Sequence, residues 1–301
     1  MKRILVTGVT GLIGRGLTHA LRRRGDDVWG LSRSAAGVES QIRRWDPTAD
    51  VLDPDSVSGF DMVVHLAGEN IGEGRWTRAR KERIKHSRIH GTRILSEALA
   101  RARAKPRLLV AGSAVGYYGS RGSELLSESS PPGTGFLAEV VIGWEAAAAA
   151  ARDAGIPVAI LRTGPVLSTN GGALAKMLPP FRMGLGGVVG PGRQYMSWIA
   201  LSDVVGACAH IIDREISGVV NVVAPNPVTN REFTRALGRI LRRPTIIPLP
   251  TMVARAVLGE MADELLLVSQ RASSARLEES GFHFDLPTVH EALAHLLGTQ
   301  E

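Results

Sequence analysis

The 301-residue chain has one cysteine, Cys208. A disulfide within the chain is therefore excluded, and a reducing compartment is expected, with the cytoplasm as the default. Cys208 lies in the apolar stretch VVGACAHII and reads as a small buried hydrophobe. No apolar run approaches the roughly 20 residues of a membrane span, so no membrane association is expected. The sequence starts directly on a strand pattern, without the pattern of a signal peptide. Aromatic residues are only 5% of the chain. That scarcity matters because the formal charge is +7, which invites a nucleic-acid reading. The basic residues are scattered, and clusters such as Arg22-Arg23-Arg24 fall on expected helices. No aromatics interleave with them as a stacking platform requires. Nucleic acid is therefore not expected as a partner; solvated faces and one anionic ligand site account for the charge. No metal is expected either: only His86 and His90 show close ligand spacing, and no third ligand is evident.

What is there is an ordinary globular composition, 44% hydrophobic and 22% charged. Strand patterns at 3–7, 28–31, 61–66, 107–111 and 158–162 alternate with helical ones at 11–24 and 77–104, the latter stopped by Pro106. The alanine-rich stretch GTGFLAEVVIGWEAAAAAA adds a helix closed by Gly155 and Pro157. Such alternation implies an α/β fold, a doubly wound parallel sheet with helices on both faces. The second half changes character. Residues 171–192 are rich in Gly and Pro; Ser202 and Asp203 suggest the cap of a helix reaching Asp213; 219–223 suggests a strand. Thr229 and Asn230 suggest the cap of a helix over 231–242, a short extended piece covers 245–249, and mostly helical sequence follows. The expected organisation is a nucleotide-binding domain at 1–168 with 202–224 returning to it. Residues 169–201 and 225–301 form a smaller, mostly helical C-terminal lobe on the substrate side.

The stretch VTGVTGLIGRGL places Gly8, Gly11 and Gly14 between the first strand and the first helix. The first glycine permits the tight turn and the second lets backbone approach a pyrophosphate. The third lets helix and strand pack closely. In this strand–turn–helix setting the motif points to a Rossmann-like dinucleotide site formed by Gly8, Thr10, Gly11, Leu12, Ile13 and Gly14. At the end of the second strand, where an NAD site usually carries Asp or Glu, the chain has Leu31-Ser32-Arg33-Ser34. Arg33 can pair with a 2′-phosphate and Ser32 can donate to it, which selects NADP(H). The alternative for Arg33 is a solvated loop cation.

The glycine spacing, followed by His65-Leu66-Ala67-Gly68, resembles the extended short-chain dehydrogenase/reductase superfamily. Four stretches narrow the resemblance to its atypical "epimerase family" branch. They are HLAGENI with Arg75-Trp76 soon after, SAVGYYG, GWEAAA and LPPFRMGLGGVVGPGRQYMSWI. The segment from Ile247, IPLPTMVARAVLG, resembles that branch's C-terminal module of unknown function. The resemblance covers nearly the whole chain. Members carry labels such as sugar-nucleotide epimerase or septation-inhibitor-like protein, and their substrates are generally unknown. It implies that Leu66, Ala67 and Gly68 lie at the adenine side of the cofactor. It places Arg88 facing the cofactor from the long helix, although Arg88 is also one of many basic residues on that surface. The turn Thr163-Gly164-Pro165-Val166 would approach the nicotinamide.

The resemblance also implies chemistry that these residues do not supply. In the superfamily a tyrosine moves the proton, a lysine four residues later lowers its pKa and holds the ribose, and an upstream serine polarises the carbonyl. A Glu commonly stands four residues after the lysine. If Glu145 is that Glu, Val141 and Leu137 occupy the lysine and tyrosine positions. Shifting the register by one gives Phe136 and Val140, or Ala138 and Ile142, so the pair is missing in every register. Ser113 follows its strand as the family serine does. SAVGYYG has one residue more than usual between that serine and Tyr118-Gly119, so Tyr117 or Tyr118 could point into the site. Ser113 and Tyr117 are the expected catalytic residues. A phenol with an ordinary pKa of about 10 would need a nearby cation or helix N-terminus to act near neutrality. The alternative for the tyrosines is packing plus one hydrogen bond. Glu69 is a further titratable group near the site. On the substrate side, Arg182 and Arg193 would suit an anion, and Gln194, Tyr195 and Trp198 could bind or stack on a ligand; the alternative is a glycine-rich connector over a buried Trp198.

Three readings follow. The first is an NADP(H)-dependent oxidoreductase with an altered site, acting on an unidentified small molecule. The second is an NADP(H)-sensing regulatory protein that reports to a protein partner through its C-terminal lobe. The third is a nucleotide-sugar epimerase, which needs the acid–base pair that is missing.

Overall fold

The computed structural model describes residues 1–32 and 41–298. It opens with β1 (Arg3–Thr7), α1 (Leu12–Arg23), β2 (Asp27–Ser32) and β3 (Ile42–Arg44). β4 (Met62–His65) leads to α2 (Arg78–Arg101), and β5 (Leu108–Ala114) leads through the short β6 (Leu125–Leu126) to α3 (Phe136–Ala146) and α4 (Ala149–Asp153). β7 (Val158–Thr163) and β8 (Val166–Leu167) precede α5 (Gly172–Arg182). β9 (Tyr195–Met196), β10 (Ile199–Ala200) and α6 (Leu201–Arg214) precede β11 (Gly218–Val222). The last stretch holds β12 (Val228–Thr229), α7 (Asn230–Leu241), α8 (Thr251–Leu258), β13 (Arg271–Ala272), α9 (Ala275–Glu279) and α10 (Val289–Leu297).

Seven strands form one parallel sheet in the order β11-β7-β5-β4-β1-β2-β3. Its central strands β1, β4, β5 and β7 are mostly apolar and buried because both faces are covered. Ile4 and Val6 of β1 pack into the layer of α1 and α6, while Leu5 packs into the layer of α2 and α4. The same two-residue alternation divides Met62 and Val64 from Val63, and Leu108 and Val110 from Leu109. Cys208 sits fully buried in the first layer, where burial pushes its thiol up to about 12 and leaves it inert. A third cluster builds the smaller lobe from Leu174 and Leu178 of α5, Phe233 and Leu237 of α7, Leu293 of α10, and Trp198. Among the described residues no helix is long and apolar enough to cross a membrane.

Two expectations of local structure are corrected. The alanine-rich stretch is two helices, not one: α3 ends at Ala146 and α4 starts at Ala149. The break frees carbonyls at the end of α3, and Arg152 donates to the Glu145 carbonyl at 2.7 Å. Asp203 is not a cap. It lies buried in the first turn of α6 and accepts from the backbone N–H groups of Asp285 and Leu286 at 2.9 and 3.2 Å. Thr229 does cap α7, through a reciprocal capping box with Glu232.

Candidate cofactor cleft and active site

The chain runs from β1 to β2 and β3 in one direction and then from β4 to β5, β7 and β11 in the other, so the crevice between β1 and β4 is the switch point of the sheet. Gly8 turns there with φ of 73°. A Cβ on Gly8 would lie 2.8 Å from the backbone of Leu66 and Ala67, and one on Gly14 would collide with the Gly8 carbonyl. Gly11 N–H donates to the Gly8 carbonyl at 2.9 Å, and a Cβ on Gly11 would meet nothing else within 4 Å. Thr10 and Gly11 are exposed at the mouth, Leu12 and Ile13 are half-buried in the first turn of α1, and their N–H groups face the crevice end of the helix. Leu12 lies 3.7 and 3.5 Å from where a Cβ on Gly171 and Gly172 would stand. Ser32 closes β2 and is half-buried. Arg33 lies outside the described residues.

The other wall is fixed by a buried histidine. His65 Nδ1 stands 2.7 Å from Thr7 Oγ1, His65 Nε2 stands 2.9 Å from Thr92 Oγ1, and Ala67 N–H donates to Thr7 Oγ1 at 3.2 Å. These bonds hold Leu66, Ala67 and the exposed Gly68 against the glycine turn. Arg88 reaches Gly68 from α2, its Cζ 3.4 Å from where a Cβ would stand, and its guanidinium packs 5.1 Å from the Trp144 ring. Arg88 donates to the Ile84 carbonyl at 3.3 Å and has no carboxylate in ion-pairing distance among the described residues. Burial pushes its pKa down to about 10, so it stays a cation at neutral pH. Glu69, by contrast, is an ion-pair partner of Arg80 at 2.6 Å.

At the end of β5, Ser113 is buried opposite Arg162 of β7. Its hydroxyl donates to Glu145 Oε1 at 2.6 Å. Arg162 grips the same carboxylate with two bonds, Nε to Oε1 at 2.8 Å and Nη2 to Oε2 at 2.9 Å. Arg162 also donates to the Tyr118 hydroxyl at 3.1 Å, which donates to Asn221 at 2.7 Å. Tyr118 is fully buried, and burial outweighs Arg162 to raise its phenol above the usual range. Tyr117 is half-buried with its ring 3.4 Å from the Arg162 guanidinium, and its hydroxyl has no hydrogen-bond partner among the described residues. Leu137 and Val141 face Gly116 and turn an apolar wall to the site, 3.5 and 3.7 Å from where a Cβ on Gly116 would stand. Phe136 packs edge-on against Trp76 instead. Gly164 is buried against the Ser197 carbonyl, and Pro165 and Val166 follow, half-buried, at the end of β7.

The structure thus brings together the glycine turn, residues 66–68, Arg88, Ser113 and residues 164–166 at one edge of the sheet. It does not bring in all of the substrate-side residues. Trp198 is fully buried, with Nε1 donating to the Asn226 carbonyl, so it is a core residue and not a stacking platform. Gln194 ties Val189 to Leu266, and Arg182 and Arg193 are exposed. Gly187 serves a close backbone approach to Ile247, not to a ligand. Two residues escaped the sequence reading. Arg162 is the buried partner of Glu145. Glu264, from the segment after α8, accepts from the backbone N–H groups of Phe136 and Leu137 at 3.0 and 3.1 Å and so caps α3. Neither has a local signature; an arginine inside the apolar run VAILR was the one hint available.

A parallel sheet with a glycine turn at its switch point defines an NAD(P)-binding fold of the extended short-chain dehydrogenase/reductase type. The chain belongs to the NAD-dependent epimerase/dehydratase family, whose model matches residues 4–223, and residues 249–296 match a domain of unknown function, DUF1731. It is 44% identical over 293 residues to an epimerase family protein of Mycobacterium bovis, covering 97% of this chain and 96% of that one. The crystal structure of the human epimerase family protein SDR39U1 with NADPH superimposes with a TM-score of 0.89 at 34% identity, covering 99% of this chain and 100% of that one. A structure described as a nucleoside-diphosphate sugar epimerase from Corynebacterium glutamicum is 37% identical with a TM-score of 0.79, covering 100% of this chain and 59% of that one.

Proposed function

We propose that the chain binds NADP(H) in the switch-point crevice and acts as an oxidoreductase on a small molecule without the usual tyrosine–lysine pair. The observation that carries the binding is the turn at Gly8 and Gly14, whose backbone leaves no room for a side chain and opens on the N-terminus of α1. Its N–H groups, from Thr10 to Ile13, hold the pyrophosphate. Leu66, Ala67 and Gly68 border the adenine side, Ser32 and Arg33 take the 2′-phosphate, and Arg88 adds a cation that no carboxylate among the described residues ion-pairs, with Glu69 acting on it only at a distance. Gly164, Pro165 and Val166 border the nicotinamide, and the similarity to a relative solved with NADPH supports this assignment. Bound there, NADPH supplies a hydride.

The rest falls to the protein. Leu137 and Val141 exclude water and move no proton. Ser113 directs its hydroxyl hydrogen at Glu145, so it offers lone pairs to a substrate and does not polarise a carbonyl. Tyr117, its ring over Arg162, is the phenol left for proton donation. Such a site suits an acceptor that is already activated, such as a conjugated double bond, for which placement does most of the work. It does not suit epimerisation through a ketone.

Fluorescence titration with NADPH and NADH, on wild type and Arg33→Ala, tests the reading. NADPH should bind at least tenfold more tightly than NADH, and Arg33→Ala should remove the preference. Equal binding of the two, or none, would overturn it. The second reading, an NADP(H)-sensing regulator, draws support from apolar side chains exposed on the smaller lobe, including Ile246, Met252 and Val257. Tight NADPH binding with no oxidation by any enone or activated carbonyl would favour it.

A further inference from the structure

A cavity of about 180 Å³ lies between the first turn of α3 and the segment that follows α8. Gly116, Thr134 and Leu137 line one side, and Asp263, Glu264 and Gln270 line the other. Leu137 and Gly116 line the cavity and face each other at the apolar wall beside Ser113 and Tyr117, so the cavity adjoins that part of the cleft. Its volume is below the roughly 300–1,000 Å³ of pockets that hold drug-sized ligands.

Gln270 is 8% exposed, and its backbone is fully used: N–H donates to the Tyr195 carbonyl at 3.0 Å, and C=O accepts from Ser197 Oγ at 2.8 Å. Its side-chain amide has no hydrogen-bond partner among the described residues. The amide atoms still reach solvent, and a ligand entering the cavity replaces that water at two donors and one acceptor. The two carboxylates are already matched. Glu264 accepts from the N–H groups of Phe136 and Leu137, and Asp263 pairs with Arg255 at 2.8 Å. Among the described residues no Lys, Arg or His lines the cavity. An anion would meet two carboxylates and no cation, and a cation would find both carboxylates compensated.

We infer that this cavity binds a small uncharged molecule bearing hydroxyl or amide groups, read by Gln270 and Glu264. Resting on the oxidoreductase reading above, this makes the part of the substrate that enters the cavity small and neutral.

Saturation-transfer NMR on the full chain, with and without NADPH, tests the inference with two probes of matched length: meso-erythritol, which is neutral, and meso-tartrate, its dianionic counterpart. Erythritol should bind wild type at least tenfold more tightly than tartrate. Gln270→Met should weaken erythritol at least tenfold and leave NADPH affinity unchanged. Thr134→Trp, at the exposed rim, should do the same by blocking entry, and it keeps the test alive where Gln270→Met fails to fold. Tartrate binding as well as erythritol, no transfer to erythritol, or erythritol binding indifferent to both substitutions would overturn the inference. NADPH titration of the same samples separates the outcomes: loss of NADPH binding in wild type refutes the oxidoreductase reading and leaves the erythritol result standing.

Discussion

At the scale of the residue, His65 carries more of the cleft than any exposed group. Its ring bridges Thr7 of β1 and Thr92 of α2, so the glycine turn and the residues after β4 depend on its staying neutral. Full burial lowers its pKa from 6.5 to about 4. The unfolded chain takes up a proton near 6.5 and the folded one does not, so the stabilisation is whole above that pH and is lost as pH falls towards 4. The shift corresponds to roughly 3 kcal/mol in all, with about 2 kcal/mol gone by pH 5. Urea denaturation at pH 7 and pH 5 should show that loss, and His65→Asn, less stable at pH 7, should show a smaller difference; equal differences in the two proteins would refute the assignment. The sequence put this histidine next to the cofactor residues through the HLAG motif. It could not reveal the bridge, because Thr7 and Thr92 are distant in the chain.

At the scale of the element, α3 shows how a helix can depend on another part of the molecule. It begins at Gly135, with φ of 107° and no side chain to cap the free N–H groups. Glu264 supplies the cap from 127 residues away. Glu264→Ala should cost about 0.5–2 kcal/mol in chemical denaturation, the usual range for a lost cap, with Glu264→Gln retaining part of it. No effect of either substitution would mean that water caps the helix equally well. The strands and the long α2 were legible because a buried strand and a helix each repeat within a few residues. The break between α3 and α4 was not, since alanine favours helix throughout, and the interruption follows from where Glu145 and Arg152 must reach.

At the scale of the whole molecule, the C-terminal segment does not stay with the smaller lobe. β13 pairs with β6, α9 lies beside β11, and Leu277 is fully buried in the same layer as α1 and α6. Arg276 donates to the carbonyls of Ser217 and Val219, stitching the segment to the sheet edge. Leu277→Ala should therefore destabilise the whole protein by about 2–5 kcal/mol, as a large-to-small change in a core does. The variant should unfold in one transition. A separate early transition, with the sheet unaffected, would show that the C-terminal segment folds on its own.

The sequence by itself determined the parallel sheet, the glycine turn at its switch point and a helix α3 that holds neither tyrosine nor lysine. Each is a matter of residue type at short spacing: alternation sets the strands, three glycines set the turn, and Leu137 and Val141 cannot move a proton in any register. Only the tertiary structure decided what the remaining polar groups do. Ser113 gives its hydroxyl hydrogen to Glu145, 32 residues further on, and Arg162, 49 residues further on, pairs with the same carboxylate. Trp198 read either as a ligand platform or as a buried core residue, and its burial in the cluster of α5, α7 and α10 decided for the core. Whether a hydroxyl, an indole or an amide is available to a ligand depends on which distant groups have already paired with it, and the folded chain alone sets those partners.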